Sequence, residues 1–330
     1  MPHRPKDDRM LCLLTFQDVC AERGERAHYT LWSRWGCPIS PSPSQQINQE
    51  ASAVNQEDTA SVVSATKAYY DGPADEIYRT VWGDNLHLGV PRTEESSHPE
   101  AMEHTNEIMA AAAPLGCGVR VLDLGCGYGS TARYLARNFG CHDTGVNISE
   151  KELQLARERS RERDLDHLLS FEYGDFHHLE YADDSYDIVW SQEAFLHAAD
   201  KVAVLTECRR VLRPGGSLIF TDILVRQDTP EEDRARIYDR VKSPDMWDLE
   251  VYRNALTGLD LTVTREEDWS HYVARSYGWV QDRLRENRES LLPRVGADTI
   301  DNTVAALSFW VDSAEAGKIG WAFFVAEKSR

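Results

Sequence analysis

From Val119 onward, short apolar runs alternate with longer stretches whose apolar positions recur at helical spacing. The runs Val119–Leu124, Asp143–Asn147, Leu169–Tyr173, Tyr186–Ser191 and Ser217–Asp222 read as buried strands. Between them, Ser130–Asn138, Glu150–Arg163 and Ala199–Leu212 read as helices. This alternation predicts an α/β fold, a parallel sheet covered by helices on both faces. Ahead of it, Val62, Val63, Ala65 and Tyr69 mark one face of a short helix, and residues 70–89 are dense in aromatic and turn residues. A further helix is expected from Pro99 to Ala113, closed by Pro114 and Gly116. After Asp222 the rhythm changes. A polar helical insert spans Pro230–Asn254, then a strand over Leu259–Thr264, helices over Arg275–Leu292 and Asp298–Ala316, and a closing strand, Ile319–Ala326.

Residues 1–60 carry no such period; Arg, Asp, Ser, Pro and Gln alternate, and Pro38–Pro43 is a linker-like run. They are expected to be a disordered leader. The folded unit is expected over residues 61–330, with a lid over 61–116, a ligand-binding core over 117–224, and an insert with C-terminal strands over 225–330.

The first strand ends in Gly125-Cys126-Gly127-Tyr128-Gly129, and Ser130 opens a helix. Strand, glycine turn and helix form the opening of a nucleotide-binding unit: bare backbone lets a ligand approach, and the helix N-terminus offers free N–H groups. A dinucleotide fingerprint does not fit. Ser130 stands at the third glycine, and Asn147 stands where an acid for the ribose would be. Instead Asp123 precedes the first glycine by two residues.

Composition narrows the partners. A formal charge of −19 argues against nucleic acid or an anionic membrane surface. No apolar run approaches the ~18–20 residues that span a bilayer. Seven cysteines without a Cys-x-x-Cys are neither a disulfide framework nor a zinc site, so no metal is expected and a reduced, cytoplasmic protein is. Among local features, Ser149 and Glu152 read as a capping box, and Leu212–Gly216 as the turn before the fifth strand. Glu193 and His197, four apart after the fourth strand, would share one face of a helical turn.

The run Asp123-x-Gly125-x-Gly127-x-Gly129 resembles motif I of the S-adenosylmethionine-dependent methyltransferases. Four further segments sharpen the likeness: Tyr78-x-x-x-Trp82-Gly83-x-x-x-His87-x-Gly89, Gly145-Val-Asn-Ile-Ser149, Ser191-Gln-Glu-Ala-Phe-Leu-His197 and Gly320-Trp-Ala-Phe-Phe-Val-Ala-Glu-Lys328. Over residues 62–328 the chain resembles small-molecule N-methyltransferases, the sarcosine/dimethylglycine N-methyltransferases above all, which complete the synthesis of the osmoprotectant glycine betaine. The resemblance implies a Rossmann-like class I sheet of seven strands, S-adenosylmethionine as donor and S-adenosylhomocysteine as product. It implies cofactor contacts from Asp123, Gly125, Gly127, Gly129, Asn147 (ribose), Ile148, Asp175 (adenine amino group), Phe176 (adenine ring) and Gln192. Tyr70 and His197 match a tyrosine–histidine pair that closes the site of phosphoethanolamine methyltransferases, and Glu193 matches an acid of the same loop.

Where those enzymes carry Arg-Asp this chain has Gln192-Glu193, which disfavours a phosphorylated acceptor such as phosphoethanolamine. Phenolic, tocopherol-like and sterol acceptors share the same donor; a sterol would require an apolar funnel, which the polar insert disfavours. Transfer to nitrogen needs a neutral amine, so a base is useful, with His197 and Tyr70 or Glu193 the candidates. Tyr69, Tyr70, Tyr78, Trp82 and Phe195 can face a methylated ammonium. Arg226, Arg253 and Arg275 are candidates for the acceptor's carboxylate. A non-catalytic adenosyl-binding module and a nicotinamide oxidoreductase are the readings from other functional classes.

Overall fold

The structure, a computed structural model, describes residues 56–330. The expected leader lies outside the described residues up to position 55, and its last five positions belong to a helix. That helix, α1, runs Gln56–Asp71 and so begins before Val62. The aromatic stretch after it forms a second helix, α2 (Pro73–Val81), started by a proline in its first turn. Helix α3 (His98–Ala111) opens on a capping box in which Ser97 and Glu100 satisfy each other's backbone donors.

The core repeats strand and helix as its patterning demands: β1 (Arg120–Leu124), α4 (Ser130–Phe139), β2 (His142–Asn147), α5 (Glu150–Arg161), β3 (Leu169–Tyr173), β4 (Tyr186–Gln192), α6 (Lys201–Val211) and β5 (Leu212–Val225). Val121, Leu122 and Leu124 of β1 are wholly buried, as a central strand of a two-faced sheet requires. Residues 212–216 extend β5 rather than forming a separate turn, and the pairing with β4 shifts register between Tyr186 and Ile188 to absorb them.

The insert resolves into two helices, α7 (Glu231–Val241) and α8 (Leu249–Gly258), the second capped by Asp248 accepting from Val251 N at 2.8 Å. Strand β6 (Leu261–Asp268) is followed by α9 (Val273–Glu286), α10 (Arg288–Val295), α11 (Ala297–Glu315) and β7 (Ile319–Lys328). The single helix expected over 275–292 is thus two. Asn287 breaks it: its side-chain amide donates to Arg283 O at 2.8 Å, ending one helix where the next begins.

Among the described residues the strands form one sheet in the order β3-β2-β1-β4-β5-β7-β6. The first five are mutually parallel, and β7 is antiparallel to both β5 and β6. The chain passes from β3 at one edge back to β4 beside β1. The carboxyl ends of β1 and β4 therefore flank a crevice where ligands bind in open α/β sheets. No helix among the described residues is long and apolar enough to cross a membrane.

Candidate active site

A cavity opens at that crevice, walled by the residues after β1, β2, β3 and β4 and by the lid loop 84–87. Asp123, Gly125, Gly127, Asn147, Ile148, Asp175, Phe176 and Gln192 all line it. Gly129 does not. It sits at φ 70°, and a Cβ there would lie 2.6 Å from the Phe171 ring, so this glycine serves the packing of α4. The loop is held against β2 by Gly125 N and Cys126 N, which both donate to Val146 O at 2.9 and 3.2 Å.

The end of the second strand departs from the capping-box expectation. Ser149 caps α5 by accepting from Glu152 N at 3.2 Å, but Glu152 does not close the box. Its carboxylate turns into the cavity, where Oε2 accepts from Asn147 Nδ2 at 2.7 Å and Oε1 is buried without a partner. Burial pushes this carboxyl up to about 7. Asp123 presents a second buried, unpartnered oxygen, Oδ2, and burial pushes it likewise to about 7. Buried acceptors without donors call for a ligand that supplies them. The hydroxyls of a ribose and the ammonium of an amino acid are such donors, so these residues fit an adenosyl amino acid. Glu152 is a site residue that sequence reasoning missed. Its signal was Asn147 at a position normally acidic, with a carboxylate one helical turn further on.

Of the other cofactor candidates, Asp175 Oδ1 accepts from the backbone N and ring Nδ1 of His177 at 2.9 and 2.6 Å. The Gln192 amide is already committed: Oε1 accepts from Thr131 Oγ1 at 2.7 Å and Nε2 donates to Asn106 Oδ1 at 3.1 Å. It braces the cavity wall. His87, on the lid, also lines the cavity; its Nδ1 lies 3.0 Å from Leu88 O, and its buried Nε2 has no partner.

Tyr70 on α1 and His197 after β4, far apart in the chain, meet at 2.9 Å between the hydroxyl and Nε2. Burial lowers His197 to about 3, with the charge of Lys201 adding to the effect, and burial raises the Tyr70 hydroxyl well above its ordinary range. Both groups are therefore neutral. Glu193 does not share a helical face with His197. It stands at φ 47° before a short 3₁₀ turn, Phe195–His197, and both its oxygens are occupied. Oε2 accepts from Leu88 N at 3.0 Å and Oε1 from Trp321 Nε1 at 2.6 Å, tying the lid to β7. Burial pushes it up to about 7.

The acceptor candidates divide. Tyr69, Tyr78 and Trp82 line a second cleft of about 390 Å³ between α1, α2, α7, α9 and α11. Phe195 lines neither cavity; it is buried against Phe176 and Phe220. None of the three expected arginines lines either of these cavities. Arg226 pairs with Asp228 at 3.1 Å, Arg253 with Glu266 Oε2 at 2.8 Å, and Arg275 donates to Glu94 O. All three are held at the surface by neighbours close in the fold.

Comparison with known proteins agrees with this geometry. Residues 122–220 match a family described as a methyltransferase domain. A sarcosine/dimethylglycine N-methyltransferase of Halorhodospira halochloris is 35% identical over 273 residues, covering 82% of this chain and 98% of that protein. A glycine/sarcosine/dimethylglycine N-methyltransferase of Actinopolyspora halophila is 36% identical over 264 residues, 79% of this chain; the chain spans only 47% of that relative's length. A candidate sarcosine dimethylglycine methyltransferase from Galdieria sulphuraria, known as a crystal structure, superposes with a TM-score of 0.74 at 30% identity, covering 79% of this chain and 98% of that one. By its glycine loop, its strand order and these likenesses, the chain belongs to the sarcosine/dimethylglycine N-methyltransferase family of S-adenosylmethionine-dependent methyltransferases.

Proposed function

We propose that the protein methylates sarcosine and dimethylglycine to glycine betaine at the cavity between β1 and β4. When bound, S-adenosylmethionine supplies an electrophilic methyl on a sulfonium sulfur. Asp123, the loop at Gly125 and Gly127, Asn147 with Glu152, Ile148, Asp175 and Phe176 are the residues to hold it. The lid, residues 61–116, covers this site from the N-terminal side, and residues 225–330 supply the acceptor's side.

The observation that carries the reading is the 2.9 Å contact between the Tyr70 hydroxyl and His197 Nε2 at the edge of the cofactor cavity. An amino-acid acceptor is protonated at neutral pH and must lose that proton before its lone pair can attack. The proton leaves to bulk water, and the neutral Tyr70 hydroxyl, hydrogen-bonded to His197 Nε2, orients the freed amine for attack. Because burial keeps the imidazolium from accumulating, the proton does not rest on His197. Glu193, its oxygens engaged by Leu88 and Trp321, positions the lid rather than taking the proton itself. The free thiols of Cys117, Cys126, Cys141 and Cys208 support a reducing, cytoplasmic setting.

The test is methyl transfer from labelled S-adenosylmethionine to glycine, sarcosine, dimethylglycine and phosphoethanolamine side by side. Turnover is expected on sarcosine and dimethylglycine. Tyr70→Phe and His197→Ala are expected to lower kcat on both by ~10²-fold while leaving cofactor affinity unchanged. Turnover of phosphoethanolamine alone, or variants as fast as the parent protein, would defeat the reading.

A further inference from the structure

Helix α7 carries an arginine, Arg240, that is enclosed by aromatic side chains. The Arg240 guanidinium lies over two aromatic rings, 5.0 Å from the centroid of Tyr277 and 4.6 Å from that of Trp310. Its Nη1 is buried without a hydrogen-bond partner. Burial opposes its charge, and the neighbouring hydroxyls of Tyr78, Tyr277, Tyr69 and Tyr70 favour it. The arginines at 226, 253 and 288 each sit against an aspartate or glutamate. The carboxylate that lines the same cleft, Asp239, is engaged by Lys242 at 2.5 Å rather than by Arg240.

Arg240 also lines the cleft that holds Tyr69, Tyr78 and Trp82. That cleft adjoins the cofactor cavity through Tyr70. The Tyr70 ring lines the cofactor side and packs 5.2 Å from Tyr69 and 6.0 Å from Tyr78, which line the other. Tyr69 and Tyr78 are joined hydroxyl to hydroxyl at 2.9 Å.

Resting on the acceptor reading above, we propose that Arg240 is the anchor for the acceptor's carboxylate, and that the cleft it lines is the acceptor pocket. A buried guanidinium with an unused N–H matches a carboxylate, which can accept two parallel hydrogen bonds from it. The neighbouring tyrosine and tryptophan faces suit the methylated ammonium at the other end of the same small molecule. The class selected is an amino acid with the nitrogen one carbon from the carboxylate, short enough to reach from Arg240 towards Tyr70. An amine lacking the carboxylate leaves Arg240 unpaired and should be a poor substrate.

The experiment compares two acceptors that share an amine, dimethylglycine and N,N-dimethylethanolamine, on the full-length protein and its Arg240→Gln and Arg240→Lys variants. Calorimetric binding of S-adenosylhomocysteine runs alongside, to report on folding and on the cofactor site. Arg240→Gln is expected to raise KM for dimethylglycine by ~10-fold to ~100-fold. Cofactor affinity and the low activity on N,N-dimethylethanolamine should be unchanged, and Arg240→Lys should recover part of the loss. An unchanged KM, or equal losses on both acceptors, would overturn the anchor while leaving the acceptor reading intact. If the parent protein turns over neither sarcosine nor dimethylglycine, the acceptor reading fails instead. Direct titration of dimethylglycine onto protein saturated with S-adenosylhomocysteine then decides the anchor: heat lost in Arg240→Gln supports it, and no heat in the parent protein overturns it.

Discussion

At the scale of single residues, Glu152 carries the sharpest consequence. A carboxylate with one oxygen held by Asn147 and the other buried without a partner is costly unless a ligand donates to it. Glu152→Gln should therefore weaken S-adenosylmethionine binding by ~10-fold to ~100-fold, the worth of a hydrogen bond to a charged group. Calorimetry checks this, and a variant with parental affinity would show that the oxygen faces something else. The pairing also explains why an asparagine serves at position 147. Its amide donates to the acid instead of being the acid, so the charge has moved five residues along the chain. The sequence signal for that exchange, Asn147 at a position normally acidic, is masked because Ser149 and Glu152 satisfy a capping-box pattern, which accounts for both residues locally.

Among the elements, the lid is joined to the core through ion pairs. Asp84, in the loop after α2, lies 3.8 Å from Arg133 of α4, 2.9 Å from Arg159 of α5, and 3.4 Å from Arg163 just beyond it. Half-exposed pairs of this kind contribute ~0.2–1 kcal/mol each and weaken with salt. Asp84→Asn is expected to weaken cofactor binding several-fold at low ionic strength. Binding to the parent protein should approach that of the variant as sodium chloride is raised; a titration of affinity against salt measures both. Glu193 forms the second tie, joining Leu88 of the lid to Trp321 of β7. Spacing alone makes His197 a helical partner of Glu193. A positive φ at Glu193 breaks that geometry, and the carboxylate is free to reach a backbone N–H more than a hundred residues away.

Across the whole molecule, buried histidines set part of the dependence of stability on pH. His98 is enclosed between Trp82 and Trp279, and neither ring nitrogen has a partner. Burial, with the charge of Arg283 second, lowers it to about 3. The unfolded chain titrates this group near its ordinary value, so between those two points the unfolded state binds the extra proton. Stability from this group is complete above ~6.5 and is lost as pH falls, by at most ~1.4 kcal/mol per pH unit. His98→Phe keeps an aromatic ring in the stack and removes both unpartnered nitrogens. It should raise the urea midpoint at pH 5 and reduce the fall in stability between pH 6.5 and 4 relative to the parent protein. Raised carboxyls at Asp123, Glu152 and Glu193 act in the opposite sense, losing stability as pH rises towards about 7, so the comparison with the variant isolates the histidine.

The periodicity of residues 119–222 was enough for the strands and helices of the core, because buried parallel strands must be apolar and surface helices must be amphipathic. The glycine turn from Gly125 to Gly129 likewise marked a place where a ligand can approach bare backbone, and the resemblance of the run from Asp123 to motif I implied which ligand. What the sequence could not carry was everything set by distance in space. The helical break at Asn287, the antiparallel place of β7 between β5 and β6, and the meeting of Tyr70 with His197 depend on contacts between remote segments. The arginines show the same division. From sequence alone Arg226, Arg253 and Arg275 were equivalent to any other in the insert, because charge type is local but partnership is not. Only the folded chain assigns each of those an occupied place and leaves Arg240 among aromatic rings without an acid.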